Sequence, residues 1–380
     1  MKKILMCLGF LAAMTACSSS QTEKEKLEFD KESHLKAVDF DTEIDGQKVS
    51  LYWIESDSLK AAFTNYGGRL IGLWVPDKNG KMTDVVVGFS SAKGFKNSTE
   101  PYFGATIGRV GNRIAKGKFS IDGVEYTIPI NNGENTLHGG IKGFQDVVWQ
   151  AKQIDARTLE LRYHSPDMEE GFPGNLDVKV TYSVSGQNTL KMEYEAETDK
   201  ATPVNLTNHA FFNLNGEGQG TILNHEVKIY ADQYTPVDAG LIPLGEQANV
   251  EDTPFDFREF HSIGERIDTE NEQLKFGGGY DHNFVLNAGE KMHPAATVIG
   301  DLSGIQMDIE TEEPGLQFYS GNFMASKNTF KSGAKDDYRT AFAMETQHFP
   351  DSPNQKSFPS IILNPNAKYE TVSTYTFSLQ

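Results

Sequence analysis

A large antiparallel β-sandwich in one domain, all-β with few short helices, is the fold this sequence predicts, on three observations. Apolar side chains recur with period two: Leu176-Asp177-Val178-Lys179-Val180-Thr181-Tyr182, and again Leu190-Lys191-Met192-Glu193-Tyr194-Glu195-Ala196. Alternation of that kind puts one face of an extended strand on a core and the other in water. Turn chemistry separates such runs, and the chain carries 35 glycines to build turns from. No long apolar stripe of helical period with caps at both ends occurs, and no period of 20–50 residues repeats, which sets aside solenoids and propellers.

Taken in order, the chain opens on an address. Lys2 and Lys3 precede an apolar run, Ile4 to Ala13, too short to span a bilayer. Met14-Thr15-Ala16-Cys17 then resembles a bacterial lipobox, with Met where Leu is usual. The expected division is a lipoprotein signal over residues 1–16, a polar tether over 17–35 with lipid on Cys17, and the folded domain over 36–380. The expected location is the cell envelope of a Gram-negative bacterium, with membrane contact only through that lipid. Of the two cysteines, Cys7 leaves with the signal and Cys17 carries lipid. The folded body then has no thiol nucleophile, cysteine metal site or disulfide.

Within the body, Ile44-Asp45-Gly46-Gln47 and Ile121-Asp122-Gly123-Val124 are Asp-Gly hairpin turns, since Asp-Gly suits positive φ at both central positions. Asp41-Thr42-Glu43-Ile44-Asp45-Gly46, which overlaps the first, also begins like a calcium loop, but its twelfth position is Tyr52, not a bidentate Glu, and strands flank it. Val85-Val86-Val87 is expected as a buried strand. Ser185-Gly186-Gln187-Asn188 joins the two alternating runs as a hairpin, and residues 259–275 hold a short helix or two.

The charge excludes partners. Against 35 basic side chains stand 53 acidic ones, for a net −18. Nucleic acid and anionic membrane surfaces call for the opposite sign. Gly216-Glu217-Gly218-Gln219-Gly220 lacks phosphate-loop spacing, and neither a Gly-x-Ser-x-Gly elbow nor His-Glu-x-x-His is present.

What remains is a set of polar residues among glycines and aromatics. Arg109, Asn112 and Arg113 fall in Gly108 to Ile114, and His138 precedes Gly139-Gly140. His209 lies in Asn205 to Asn213, Asp281 in Gly277 to Phe284, Gln317 in Leu316 to Phe323, and Glu345 in Ala343 to Pro350. Singly, each has a plain structural use; Arg109 and Arg113, for instance, suit surface ion pairs. Together they offer carboxylates, imidazoles, a guanidinium and flat rings, the inventory of a site for a polyhydroxylated ring.

At these segments, and at Asn65-Tyr66-Gly67-Gly68, the sequence closely resembles the aldose 1-epimerases, or galactose mutarotases, in the family's order and from about residue 36 to the C-terminus. The resemblance implies a mutarotase-like supersandwich and interconversion of the α and β anomers of free hexoses. It implies Glu345 as general base and His209 as general acid. It implies Asp281, Arg113, His138 and Gln317 as holders of sugar hydroxyls, with Asn112 beside them. Gly111 stands where relatives often have Ala, and Ala210 where many have Ser or Tyr; both lie beside the site residues and replace none. The implied chemistry requires no cofactor, though the acidic surface leaves room for a spectator Ca2+ or Na+. The expected partner is an aldose, and the expected state a monomer. Glu345 and His209 are expected to hold each other ionised, giving a rate plateau near neutrality that ends as Glu345 protonates in acid and His209 deprotonates in alkali. The rivals are a hexose 6-phosphate epimerase, a sugar-binding lipoprotein without turnover, and a glycoside hydrolase using Asp281 and Glu345 as its carboxylate pair.

Overall fold

The computed structural model describes residues 33–287, 289 and 291–380. The expected signal, the expected lipidation at Cys17 and the expected tether up to residue 32 lie outside the described residues. Ser33 and Leu35, placed by the sequence in the tether, are buried, and Leu35 belongs to the apolar cluster that includes Phe40. The packed domain therefore takes in residues 33–35 as well.

The main sheet has nine strands, in the spatial order Gln150–Asp155, Thr158–Ser165, Leu176–Ser185, Thr189–Thr198, Tyr369–Leu379, Ile305–Thr311, His293–Ile299, Glu226–Ile229 and His261–Ser262. Its ladders are antiparallel throughout. The expected hairpin closes with Ser185 opposite Thr189, leaving residues 186–188 as its turn. Its strands alternate as read from the sequence: Leu176, Val178, Val180 and Tyr182 are buried, as are Leu190, Met192, Tyr194 and Ala196.

Those inward side chains meet two further sheets. One has four strands, Leu51–Glu55, Lys60–Thr64, Arg69–Pro76 and Met82–Asp84. The other has six, in the order Phe211–Phe212, Phe342–Gln347, Gly315–Tyr319, Asp281–Leu286, Ala231–Tyr234 and Ala248–Asn249. A single apolar cluster joins them, with Val180, Tyr194, Met307 and Tyr375 from the large sheet, Phe63 and Leu73 from the second, and Phe284, Phe318 and Met344 from the third. Each fully buried side chain of this size contributes roughly 1.5–3 kcal/mol.

Both Asp-Gly turns have positive φ at both central residues, 52° and 75° at Asp45-Gly46 and 49° and 81° at Asp122-Gly123. Residues 41–46 thus form a hairpin between Thr42–Ile44 and Gln47–Val49, as preferred over a calcium loop. Residues 85–87 are buried but do not form a strand. Val85 N donates to Leu73 O in the four-stranded sheet, whereas Val87 N donates to Phe211 O in the six-stranded one. The run crosses between sheets, and Asp84 Oδ1 makes the break by accepting from both Leu73 N and Val86 N. The window 259–275 holds two short helices, Ile263–Arg266 and Glu272–Gly277, the second capped by the Asn271 side chain and by Gly278 at φ 65°. Two more, Ala37–Phe40 and Ala92–Lys96, were not foreseen.

Candidate active site

Strand alternation builds one wall of the site. In Phe342–Gln347, Phe342 and Met344 belong to the main core, and Thr346 Oγ1 lies 2.7 Å from Ser373 Oγ of the large sheet. Ala343, Glu345 and Gln347 therefore face the other way. In Gly315–Tyr319, Leu316 and Phe318 enter the core, which turns Gln317 and Tyr319 to the same side as Glu345. The registers put Gln317 opposite both Glu345 and Asn283, and Tyr319 opposite Asp281. A polar row thus crosses three adjacent strands on the face away from the core.

The facing wall comes from shorter elements. Thr207–His209 pairs with Ala105–Ile107 and presents His209. Arg113–Ile114 pairs with Thr136–Leu137, which brings Asn112, Arg113 and His138 together. Asn112 N donates to His138 Nδ1 at 3.0 Å, and His138 N donates to Asn112 O at 3.0 Å. Both residues have positive φ, 62° and 50°, a conformation that costs energy for a non-glycine residue and is held here by that reciprocal pair. Gly139 follows at φ 88°, where a Cβ would meet Gly108 O at 2.0 Å. Only glycine fits beneath His138.

Between the walls is a cavity of about 340 Å³ lined by Glu345, His209, His138, Asn112, Arg113 and Asp281, among others. Its size suits a single small ligand. His209 Nε2 lies 3.5 Å from Glu345 Oε1, and both side chains are nearly fully buried. Gln317 Nε2 donates to Asp281 Oδ1 at 2.7 Å, and Arg113 Nη2 lies 3.7 Å from Asp281 Oδ2. All seven residues expected at the site thus meet in one place. Among the described residues, the buried polar atoms there without a partner include Glu345 Oε2, Gln317 Oε1, His209 Nδ1 and Asn283 Nδ2.

The family model described as aldose 1-epimerase matches residues 50–376. Galactose mutarotase of Bos taurus is 41% identical over 347 residues, spanning 91% of this chain and 99% of its own. Aldose 1-epimerase of Escherichia coli (strain K12) is 35% identical over 337 residues, covering 88% and 96%. Among solved structures, a GalM/aldose epimerase homologue from C. elegans aligns with a TM-score of 0.79 at 30% identity, covering 87% of this chain and 99% of that one. The chain belongs to the aldose 1-epimerase family.

As an aldose 1-epimerase family member, the protein holds its acid–base groups in a strongly desolvated site. Burial drives His209 down to about 3, and Arg69 acts in the same direction. Burial raises Glu345 well above the ordinary carboxylate range; Asp281 pushes it further, and Arg113 opposes. His138 is lowered by burial and by His209 and Arg113. Asp281 is raised by burial against the pull of Arg113 and Gln317. Burial thus favours the neutral form of both proton carriers in the sugar-free site, against the expectation that each would keep the other ionised.

His138, His209 and Glu345 offer ligand atoms within 4.8 Å of one another, spacing that would admit a metal ion. The hydrogen bond from Asn112 N decides against it. That bond requires a lone pair on His138 Nδ1, so the ring proton sits on Nε2, which is then a donor and not a ligand. The donor set suits sugar hydroxyls better than a cation.

Several contributors escaped sequence reasoning. The Tyr102 ring stacks on His209 at 5.7 Å and meets His138 edge-on at 4.5 Å. Phe211 also stacks on the His209 ring, at 4.8 Å. Gln347 Nε2 donates to Asn283 Oδ1 at 3.2 Å, extending the polar row. Asn283 and Gln347 each stand two positions along a strand from a recognised residue, a period-two signal that was available. Tyr102 carried no such signal. Arg109, read as a possible surface cation, is buried, and its guanidinium donates to Ser165 Oγ and to the carbonyls of Ser165, Pro166 and Pro173.

Proposed function

We propose that this protein is a mutarotase that interconverts the α and β anomers of free hexoses such as galactose and glucose, with Glu345 as base and His209 as acid. The observation that carries this reading is the 3.5 Å approach of Glu345 Oε1 to His209 Nε2 inside one hexose-sized cavity. Ring opening takes the O1 proton onto the Glu345 carboxylate and delivers the His209 proton to O5 as the C1–O5 bond breaks. The aldehyde turns about C1–C2 and recloses with the two proton transfers reversed. Protons balance, no electrons leave the sugar, and the neutral pair that burial favours without sugar is the pair's state in the open-chain complex. Sugar hydroxyls donating to the unpartnered Glu345 Oε2 would restore the carboxylate for the first step.

Asp281, Gln317, Arg113, Asn112 and His138 hold hydroxyls in this scheme. Asp281 is suited to holding and not to proton transfer, because Gln317 and Arg113 already address its two oxygens. That weighs against a hydrolase using it as one of two working carboxyls. A 6-phosphate substrate would want several cations, and among the described residues Arg113 is the one Lys or Arg lining the cavity. The test is polarimetric: freshly dissolved α-galactose and α-glucose should reach rotational equilibrium faster with the protein than without. Equal rates would leave a binding protein without turnover. The lipobox supports export and anchoring through Cys17, and a Cys17→Ala chain should move from the membrane to the soluble fraction.

A further inference from the structure

The cavity is short of positive charge. Three carboxyls line it, Glu100, Asp281 and Glu345, against the one guanidinium of Arg113, which already faces Asp281 at 3.7 Å. Both histidines on the wall are kept neutral by burial. Glu345 Oε2 is buried without a partner. Glu100 is held at the rim by its neighbours: Glu100 Oε1 accepts from Tyr102 N at 3.2 Å, Ser98 Oγ accepts from Glu100 N at 3.2 Å and donates to Glu100 O at 2.7 Å. Among the described residues no lysine or arginine forms an ion pair with Glu100 or Glu345, and the one charged contact of Asp281 is Arg113. Burial raises all three carboxyls, Glu100 to about 7, and Asp281 and Glu100 each push Glu345 further.

We propose that this cavity also serves hexosamines, aldoses with an ammonium in place of one hydroxyl, that it turns away uronic acids, and that Glu100 sets this charge preference. The inference rests on the mutarotase reading and names its substrate class. A uronate entering the cavity would add an anion to a wall already lacking counter-charge. An ammonium supplies that charge and donates up to three hydrogen bonds to carboxyl oxygens. The reaction itself is unchanged: the O1 proton passes to Glu345, the His209 proton to O5, the C1–O5 bond breaks and re-forms, and the amine does not react.

The experiment follows mutarotation of freshly dissolved α-galactose, α-galactosamine hydrochloride and α-galacturonate by the purified full chain, at a pH where the amine is protonated and the carboxyl ionised. Galactosamine should be turned over with a kcat/KM within about tenfold of galactose, and galacturonate at least about tenfold below it, since a single like-charge juxtaposition costs about that much or more. Raising the salt concentration should speed galacturonate and leave galactose level. In Glu100→Gln the ratio of galactosamine to galacturonate kcat/KM should fall about tenfold at about pH 7 and above, where Glu100 is ionised, and by less below it. Galacturonate turned over as well as galactose, or galactosamine inert beside an active galactose reaction, would overturn the proposal. An unchanged ratio in an active Glu100→Gln would overturn the part played by Glu100. Failure on galactose itself would strike the mutarotase reading instead, so the two failures are distinguishable.

Discussion

Burial decides the charge of the two proton carriers, and through it the shape of the pH profile. An ion pair at 3.5 Å gains Coulomb energy, but moving both charges out of water costs several kcal/mol each unless further hydrogen bonds replace the water. Here Glu345 Oε2 and His209 Nδ1 have no such partner, so the neutral pair wins. The pair then keeps a single proton from about pH 3, where His209 takes a second, up to the raised value of Glu345, where that one is lost. Since kcat/KM reports the free enzyme, its acid limb belongs to His209 and its alkaline limb to Glu345, the reverse of the assignment that ordinary pKa values suggest. Polarimetric kcat/KM should stay level from neutrality to about pH 5; a half-loss already at pH 6 would show that the site is wetter than this. Glu345→Gln removes the base without changing shape. It should lower kcat by about 10²–10⁴ while galactose binding, measured calorimetrically, persists. The identities of these residues were legible because the family's segments are contiguous; their charge state was not, since it depends on what the fold removes from water.

The elements that frame the site are held by braces that are remote in sequence. Arg69 begins the strand Arg69–Pro76 and is 1% exposed. Its Nη1 donates to Phe103 O at 2.7 Å and its Nη2 to Pro101 O and Gln145 O at 2.8 Å. These bonds fix the segment carrying Tyr102, which stacks on His209. Arg69→Met leaves three largely buried carbonyls without donors, at about 1–3 kcal/mol each. It should cost roughly 3 kcal/mol or more of stability in urea unfolding and lower kcat even where the fold survives. Gly139→Ala attacks the other wall, forcing a Cβ against Gly108 O under His138. A loss of roughly 2–4 kcal/mol is expected, with a KM that rises in the folded fraction. Period-two patterning exposed the long hairpin at residues 176–198 because each strand is apolar on one face only. It misjudged residues 85–87 because a buried apolar run looks the same in a strand and in a crossing between sheets. It was weak on Phe342–Gln347, where both faces are buried and alternation is between core and cavity instead of core and water.

At the scale of the whole molecule, the site's desolvation appears in the response of stability to pH. His209 and His282 are buried and titrate at about 3 instead of 6.5. The unfolded chain therefore binds their protons below pH 6.5 while the folded chain does not, and stability falls as pH drops from 6.5 to about 3. Glu345 and Glu100 act with the opposite sign. Their folded values lie above 4.5, with Glu100 at about 7, so the folded chain binds protons first and stability rises as pH drops toward 4.5. The two sets offset each other between pH 6.5 and 4.5. Below about pH 4 the raised carboxyls Glu345 and Glu100 are protonated in both states and no longer offset the histidines, which still separate folded from unfolded. Each contributes a slope of about 1.4 kcal/mol per pH unit. Asp301, held down to about 2 chiefly by His225, whose Nδ1 lies 3.4 Å from Asp301 Oδ1, adds to the same fall. The urea midpoint should therefore be nearly level from pH 6.5 to 4.5 and drop steeply below 4. A steady decline beginning near pH 6.5 would mean that the raised carboxyls are absent, and with them the water-poor cavity in which a neutral Glu345 and a neutral His209 can share one proton.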